Sequence, residues 1–200
     1  MHTTPSKPSD REIIQRIIDG DADAFAQILA RYKDYVMGIV SKHVPYDQIG
    51  EIAHDAFIRA YQSLATFRGD GNFRHWLASI AVRTCYDFWR ERYRSREIPM
   101  SSLTERHQEW LENVMSDSSD RAFDEQGSRR EAGEVLDWAL ARLSAEDRMV
   151  LELVYLEGLT VRKAAELLGW TMANVKVRSL RSRRKLKKIL SGPIGEEMLS

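Results

Sequence analysis

Val161-Arg-Lys-Ala-Ala-Glu-Leu-Leu-Gly169-Trp-Thr-Met172-Ala-Asn-Val-Lys-Val-Arg178 reads as two helices divided by a glycine turn. Ala164, Ala165, Leu167 and Leu168 give the first helix, Val161 to Leu168, an apolar side with two small residues for close approach. Gly169 accepts a left-handed backbone, and Thr171 is a suitable cap for the helix that follows, about Met172 to Leu190. Upstream, Ser144-Ala-Glu-Asp147 fits a capping box, with Asp147 expected to reach back to Ser144. The helix it opens should run to about Glu157 and stop at Gly158. Helix, tight turn, helix is the arrangement that places a second helix in the DNA major groove.

That second helix is chemically one-sided. Met172 to Leu190 holds eight Lys or Arg and no acid. Asn174, Lys176, Arg178, Arg181, Arg183 and Arg184 are the candidate DNA contacts, with Val175, Leu180, Leu186 and Ile189 facing inward. Cations follow phosphates, and arginine also reads guanine edges. A basic run alone usually marks a solvated face; the glycine-turned pair in front of it favours DNA.

The whole chain conceals this. Its 200 residues carry 30 Lys+Arg and 30 Asp+Glu, a net charge of zero. By segment the charges separate. Residues 10–97 balance at 13 basic and 13 acidic, 98–130 are net −3, and 131–190 are net +4. The acidic stretch contains Ile98-Pro-Met-Ser-Ser102 and Ser116-Asp-Ser-Ser-Asp120, and reads as a flexible linker with one short helix around Trp110–Met115. Two all-α domains, 10–97 and 131–190, are expected on either side of it. As a coil the linker has a span of about 30 Å, and it stretches to about 110 Å.

In the first domain, apolar or small residues fall at 49, 52, 53, 56, 57, 60, 61 and 64, one face of a helix. Its other face shows Glu51, Asp55, Ile58, Arg59 and Gln62, an acidic pair beside an exposed isoleucine that suits a protein contact. Phe67-Arg-Gly-Asp-Gly-Asn-Phe73 is a loop pinned at both ends by aromatics. The helix after it has a stripe at 76, 77, 80, 81, 84, 85 and 88 and an arginine row at Arg83, Arg90 and Arg94. Tyr86, Trp89 and Tyr93 lie beside the arginines. Rings for stacking and cations along a backbone suit single-stranded nucleic acid; a core stripe with solvated arginines is the plain alternative.

Nothing here reads as an enzyme. The five histidines lack metal-ligand spacing, and no phosphate-cradling glycine loop is present. No cofactor is expected. Cys85 falls on an apolar face as an inert core residue, and one cysteine suits a reducing compartment. No stretch of 18 apolar residues is present, so the chain is expected in the cytoplasm without membrane insertion. On residues alone, a free-standing helix-turn-helix repressor or activator fits too, as does an adaptor with a basic tail.

In order along residues 10–190, the motifs resemble the sigma-70 family of RNA polymerase sigma factors, in its extracytoplasmic-function type. The resemblance is carried by Gly20-Asp21, Ala24-Phe25 and Arg31-Tyr32, by Glu51 to Tyr61, by Phe67 to Arg83, and by Leu143 to Arg148 with the helix-turn-helix. It implies a transcription initiation factor, with sigma region 2 at 10–97 and region 4 at 131–190. Glu51, Asp55, Ile58, Arg59 and Gln62 match the helix that grips the clamp helices of the polymerase's largest subunit, while region 4 meets its flap. Phe67, Arg68, Asp70, Asn72, Phe73, Arg83, Tyr86 and Arg90 match the part that opens the −10 element and holds its single non-template strand. Asn174, Lys176, Arg178, Arg181, Arg183 and Arg184 match the −35 duplex reader. The family also implies stress or envelope responsiveness and control by an anti-sigma factor. Three departures stand out: His54-Asp55 for a frequent Gln-Glu, Arg83 for a frequent Asn, and Val177 for a frequent Ser.

Overall fold

A computed structural model describes residues 8–67, 71–94 and 136–191, and among them the regular structure is helical throughout. The expected linker, 98–130, lies outside the described residues. Two compact units form. One gathers the helices up to Phe88 together with Ala165–Thr171; the other holds those from Trp89 to Ala164 and from Met172 onward.

In the first unit, α1 (Asp10–Ile18) opens on a reciprocal cap: the Glu12 amide donates to Ser9 Oγ, and the Ser9 amide donates to the Glu12 carboxylate. It buries Ile13, Ile14 and Ile17. Asp10 then accepts from the Arg31 guanidinium and the Tyr32 hydroxyl on α2 (Phe25–Val40), which fastens the two helices at one end. Burial, and then the Asp10 bond, push the Tyr32 phenol up to about 12.

Next comes α3 (Ile49–Ser63), which buries Ile52, Ala53, Ala56, Phe57 and Ala60. Three alanines in that set let neighbouring helices come near. Of the expected stripe, Leu64 is buried, but Tyr61 is 43% exposed and meets Phe25 edge-on at 5.0 Å. The long α4 (Phe73–Arg94) is turned slightly from the sequence stripe. Phe73, Leu77, Ala78, Ala81, Val82, Cys85 and Trp89 are its buried apolar residues, whereas Trp76, Ile80 and Phe88 are half-buried.

In the second unit, a helical stretch at 136–140 leads to α5 (Ala145–Leu151), and Leu140, Leu143 and Leu151 form a small core. Ser144 caps α5 by accepting from the Asp147 amide at 3.3 Å. The other half of the expected box is replaced: the Asp147 carboxylate leaves Ser144 and bonds to the last helix instead. The chain continues from α5 as a π-helical turn, Glu152–Leu156, where the Glu157 amide reaches the Glu152 carbonyl at 2.8 Å. Gly158, at φ +65°, ends it. Inside α5 and the turn, Arg148 and Glu152 make a buried ion pair at 2.7 Å.

Thr160 caps α6 (Val161–Leu168) through the Lys163 amide. Gly169 then turns at φ +72°, a conformation costly for any residue with a Cβ. The last helix, α7 (Met172–Ser191), follows. Val175 is fully buried, and Leu186 and Ile189 pack on the leucine core. Leu180 does not join them; it is 50% exposed. The inward places between Val175 and Leu186 belong to Ser179 and Ser182, both buried.

Candidate functional site

Three surfaces carry the candidate residues. On α3, Glu51, Asp55, Ile58, Arg59 and Gln62 all lie exposed, opposite the buried alanine and phenylalanine side. Their spacing keeps them on one strip of the helix. Ile58 is the apolar member, 40% exposed. Arg59 is committed within the unit: its guanidinium donates to Asp87 of α4 at 2.6 Å, bracing α3 against α4. The sequence gave no sign of this partner, which lies 28 residues away.

At the start of α4, Phe67, Phe73 and Trp76 pack their rings within 5.3–5.5 Å of one another. Phe73 is buried and Phe67 half-buried, so the aromatic pins expected at the two ends of the loop are in place. Arg68 and Asp70 lie outside the described residues. Asn72 is exposed and caps α4, its side-chain oxygen accepting from the His75 amide at 3.2 Å.

Farther along α4, Arg83 is exposed, and its Nε donates to the Leu167 carbonyl of the same unit at 3.2 Å. Tyr86 is half-buried and meets Trp170 edge-on at 5.8 Å. Arg90 is exposed. Trp89, read as a possible stacking ring, is buried and stacks on Tyr93 at 5.7 Å. The core alternative holds for that residue, because the buried face of α4 turns through position 89.

On α7, Asn174, Lys176, Arg181, Arg183 and Arg184 are exposed, and Arg178 is half-buried. Arg183 lies 5.7 Å from the ring of Tyr155. Arg178 Nη1 donates to Asp147 Oδ1 at 3.1 Å, Ser182 Oγ to the same oxygen at 2.8 Å, and Lys185 Nζ to Oδ2 at 2.5 Å. Burial raises the Asp147 carboxyl, yet the Lys185 and Ser182 hydrogen bonds, with the charges of Lys185 and Arg178, outweigh it and leave it below the usual carboxylate range. Asp147 had been read only as a cap. The signal that it does more is its position: an acid inside an otherwise apolar helix, ahead of a helix that has none.

Among the described residues, no group of three or more His, Cys, Asp or Glu is placed to hold a metal, and no helix is long and apolar enough to cross a membrane. The chain matches the family models Sigma-70 region 2 over residues 28–95 and Sigma-70, region 4 over residues 134–186, together more than half its length. It is similar to the ECF RNA polymerase sigma-E factor of Escherichia coli, 27% identical over 183 residues, covering 89% of this chain and 92% of that protein. It is also similar to the RNA polymerase sigma-H factor of Pseudomonas aeruginosa, 28% identical over 190 residues, covering 92% of this chain and 95% of that one. Among solved structures, CnrH in complex with the cytosolic domain of CnrY is similar at 24% identity and a TM-score of 0.49, covering 92% of this chain and 98% of that chain.

Proposed function

The chain belongs to the sigma-70 family, as an RNA polymerase sigma factor of the extracytoplasmic-function type, and from that premise we propose how its residues divide the work of promoter-directed initiation. Residues 10–97 act as region 2, 131–190 as region 4, and 98–130 as the acidic tether between them. The polymerase supplies the chemistry, and this chain supplies binding, acting in the cytoplasm. Glu51, Asp55, Ile58 and Gln62 form the face offered to the largest-subunit clamp helices, with Arg59 held beside them by Asp87.

The aromatic corner at Phe67, Phe73 and Trp76 shapes the −10 end of the domain. There Arg68, Asp70, Asn72, Arg83, Tyr86 and Arg90 receive the non-template strand. Single-stranded DNA offers bases to stack and phosphates to pair, both of which this end supplies. Asn174, Lys176, Arg178, Arg181, Arg183 and Arg184 of α7 serve the −35 duplex, and region 4 also meets the polymerase flap. Release from an anti-sigma factor is the expected control, in answer to stress or an envelope signal.

The observation that carries this reading is the exposed cation face of α7 following the Gly169 turn, in one chain with the acidic, isoleucine-bearing face of α3. In vitro transcription with core polymerase on a genomic template library tests it. Discrete promoter starts that need both polymerase and this chain are expected, and Lys176→Ala should weaken them. Tight, sequence-specific duplex binding by the chain without polymerase would instead favour a helix-turn-helix repressor or activator.

A further inference from the structure

Of the eight cations on α7, two bond to a single buried carboxylate. Asp147 is 1% exposed. A buried charge is stable only while its partners stay in place. Arg178, Ser182 and Lys185 stand four and three residues apart on α7, so all three share one stripe of that helix. The same stripe borders the buried Val175, Ser179 and Ser182. Lys176 and Arg183 fall on one flank of the exposed side, and Arg181 with Arg184 on the other. Rolling α7 about its axis would exchange what these flanks present.

We infer that Asp147 is a positioning residue for the −35 reading: it pins α7 from behind through Arg178, Ser182 and Lys185, so that Arg178 and Lys185 set the roll of the helix while Lys176, Arg181, Arg183 and Arg184 meet DNA. This rests on the proposed role of α7 and gives one of its cations, Arg178, an indirect part. Serines at 179 and 182 suit the arrangement. They let α7 come close enough for the carboxylate to be shared, and Ser182 donates to it as well. A leucine at either place would fill that space.

The consequence is unusual for a basic helix: removing an acid should make DNA binding worse where it matters and stronger where it does not. Asp147→Asn keeps an oxygen for the Ser182 hydroxyl but drops the charge that holds Arg178 and Lys185. On a scrambled duplex, the full chain carrying Asp147→Asn should bind more tightly than the parent. Its log–log salt dependence should steepen by about 0.9 for each released cation that finds a phosphate. On a promoter recovered from the library, the holoenzyme should lose several-fold in its preference over the scrambled duplex. A merely structural residue would weaken both bindings alike.

Arg178→Gln and Arg181→Gln give an independent arm that does not depend on how well Asp147→Asn folds, which circular dichroism and melting would show. Arg181→Gln should lower the salt slope by about 0.9. Arg178→Gln should leave the slope in place and still reduce promoter preference. An Arg178→Gln slope that falls as far as that of Arg181→Gln overturns the inference. So does a folded Asp147→Asn protein with unchanged slope and preference. The scrambled-duplex slopes decide the point even if the library yields no promoter, an outcome that would count against the proposed function alone.

Discussion

Ser179 and Ser182 stand where helical spacing on α7 would ask for leucine, and Leu180, the leucine present, faces water. A hydroxyl is buried without penalty only when it has a partner, and each serine has one: Ser179 donates to the Lys176 carbonyl and Ser182 to Asp147. Single residues elsewhere show similar commitments. Tyr32 is pushed up to about 12, against about 10 for a free phenol. The folded chain therefore keeps this proton longer than the unfolded one. The stabilisation is complete below pH about 10 and is lost as pH rises from there toward 12. Tyr32→Phe should flatten that alkaline decline in thermal melts. For Asp55, exposed on α3, charge reversal by Asp55→Lys should weaken binding to core polymerase by tenfold or more in a competition assay, while the melting temperature stays near that of the parent. Unchanged polymerase affinity would remove α3 from the proposed interface.

Among the elements, α5 depends most on its ends. Ser144 satisfies the Asp147 amide, and losing such a cap costs about 1 kcal/mol. Ser144→Ala should lower the stability of the second unit by about that amount in a denaturant titration. The Asp147 carboxyl, held below its ordinary value, adds a pH dependence to the same helix. Its contribution is present above the unfolded value of about 3.9 and fades as pH falls through the lower folded value. The melting difference between the parent and Asp147→Asn should be large at pH 7 and shrink below about pH 4.

Helix bounds were legible from periodicity and glycines: Val161–Leu168 is as expected, and α7 extends one residue beyond its expected end. The roll of α4 and α7 was not, because helical spacing gives a stripe but not its centre; tertiary packing moved Trp89 inside and Leu180 outside. Nor was the carboxylate of Asp147 legible. A local capping box and a long-range ion cluster use the same residue type, and sequence spacing shows only the local one.

At the scale of the whole molecule, neutrality is the sum of unlike parts, and the α7 cluster shows that even the basic part is not all available to DNA. A neutral chain gains little nonspecific attraction to duplex, which suits a factor meant to find promoters only on the polymerase. The proposed tether sets how two weak readings combine. Halving residues 98–130 would still let a stretched chain span one helical turn of DNA, but it would narrow the placements open to region 4. Transcription from promoters that need both elements should fall more than transcription from those that rely on the −10 element, in the same library assay.

The π-helical turn at Glu152–Leu156 has a historical reading. Such a turn holds one residue more than an α-helical path between the same ends, and is the form a single-residue insertion takes when a helix absorbs it. Each residue added to a helix advances the following side chains by about 100°. The insertion thus acts as a phase shifter: it leaves the buried Leu151 and Leu153 in the core and swings Tyr155 and Leu156 outward, to 42% and 55% exposure. A relative one residue shorter at this place would carry the same helix-turn-helix behind a differently composed outer ridge, so that insertions and deletions, as much as substitutions, can vary what region 4 presents to its neighbours.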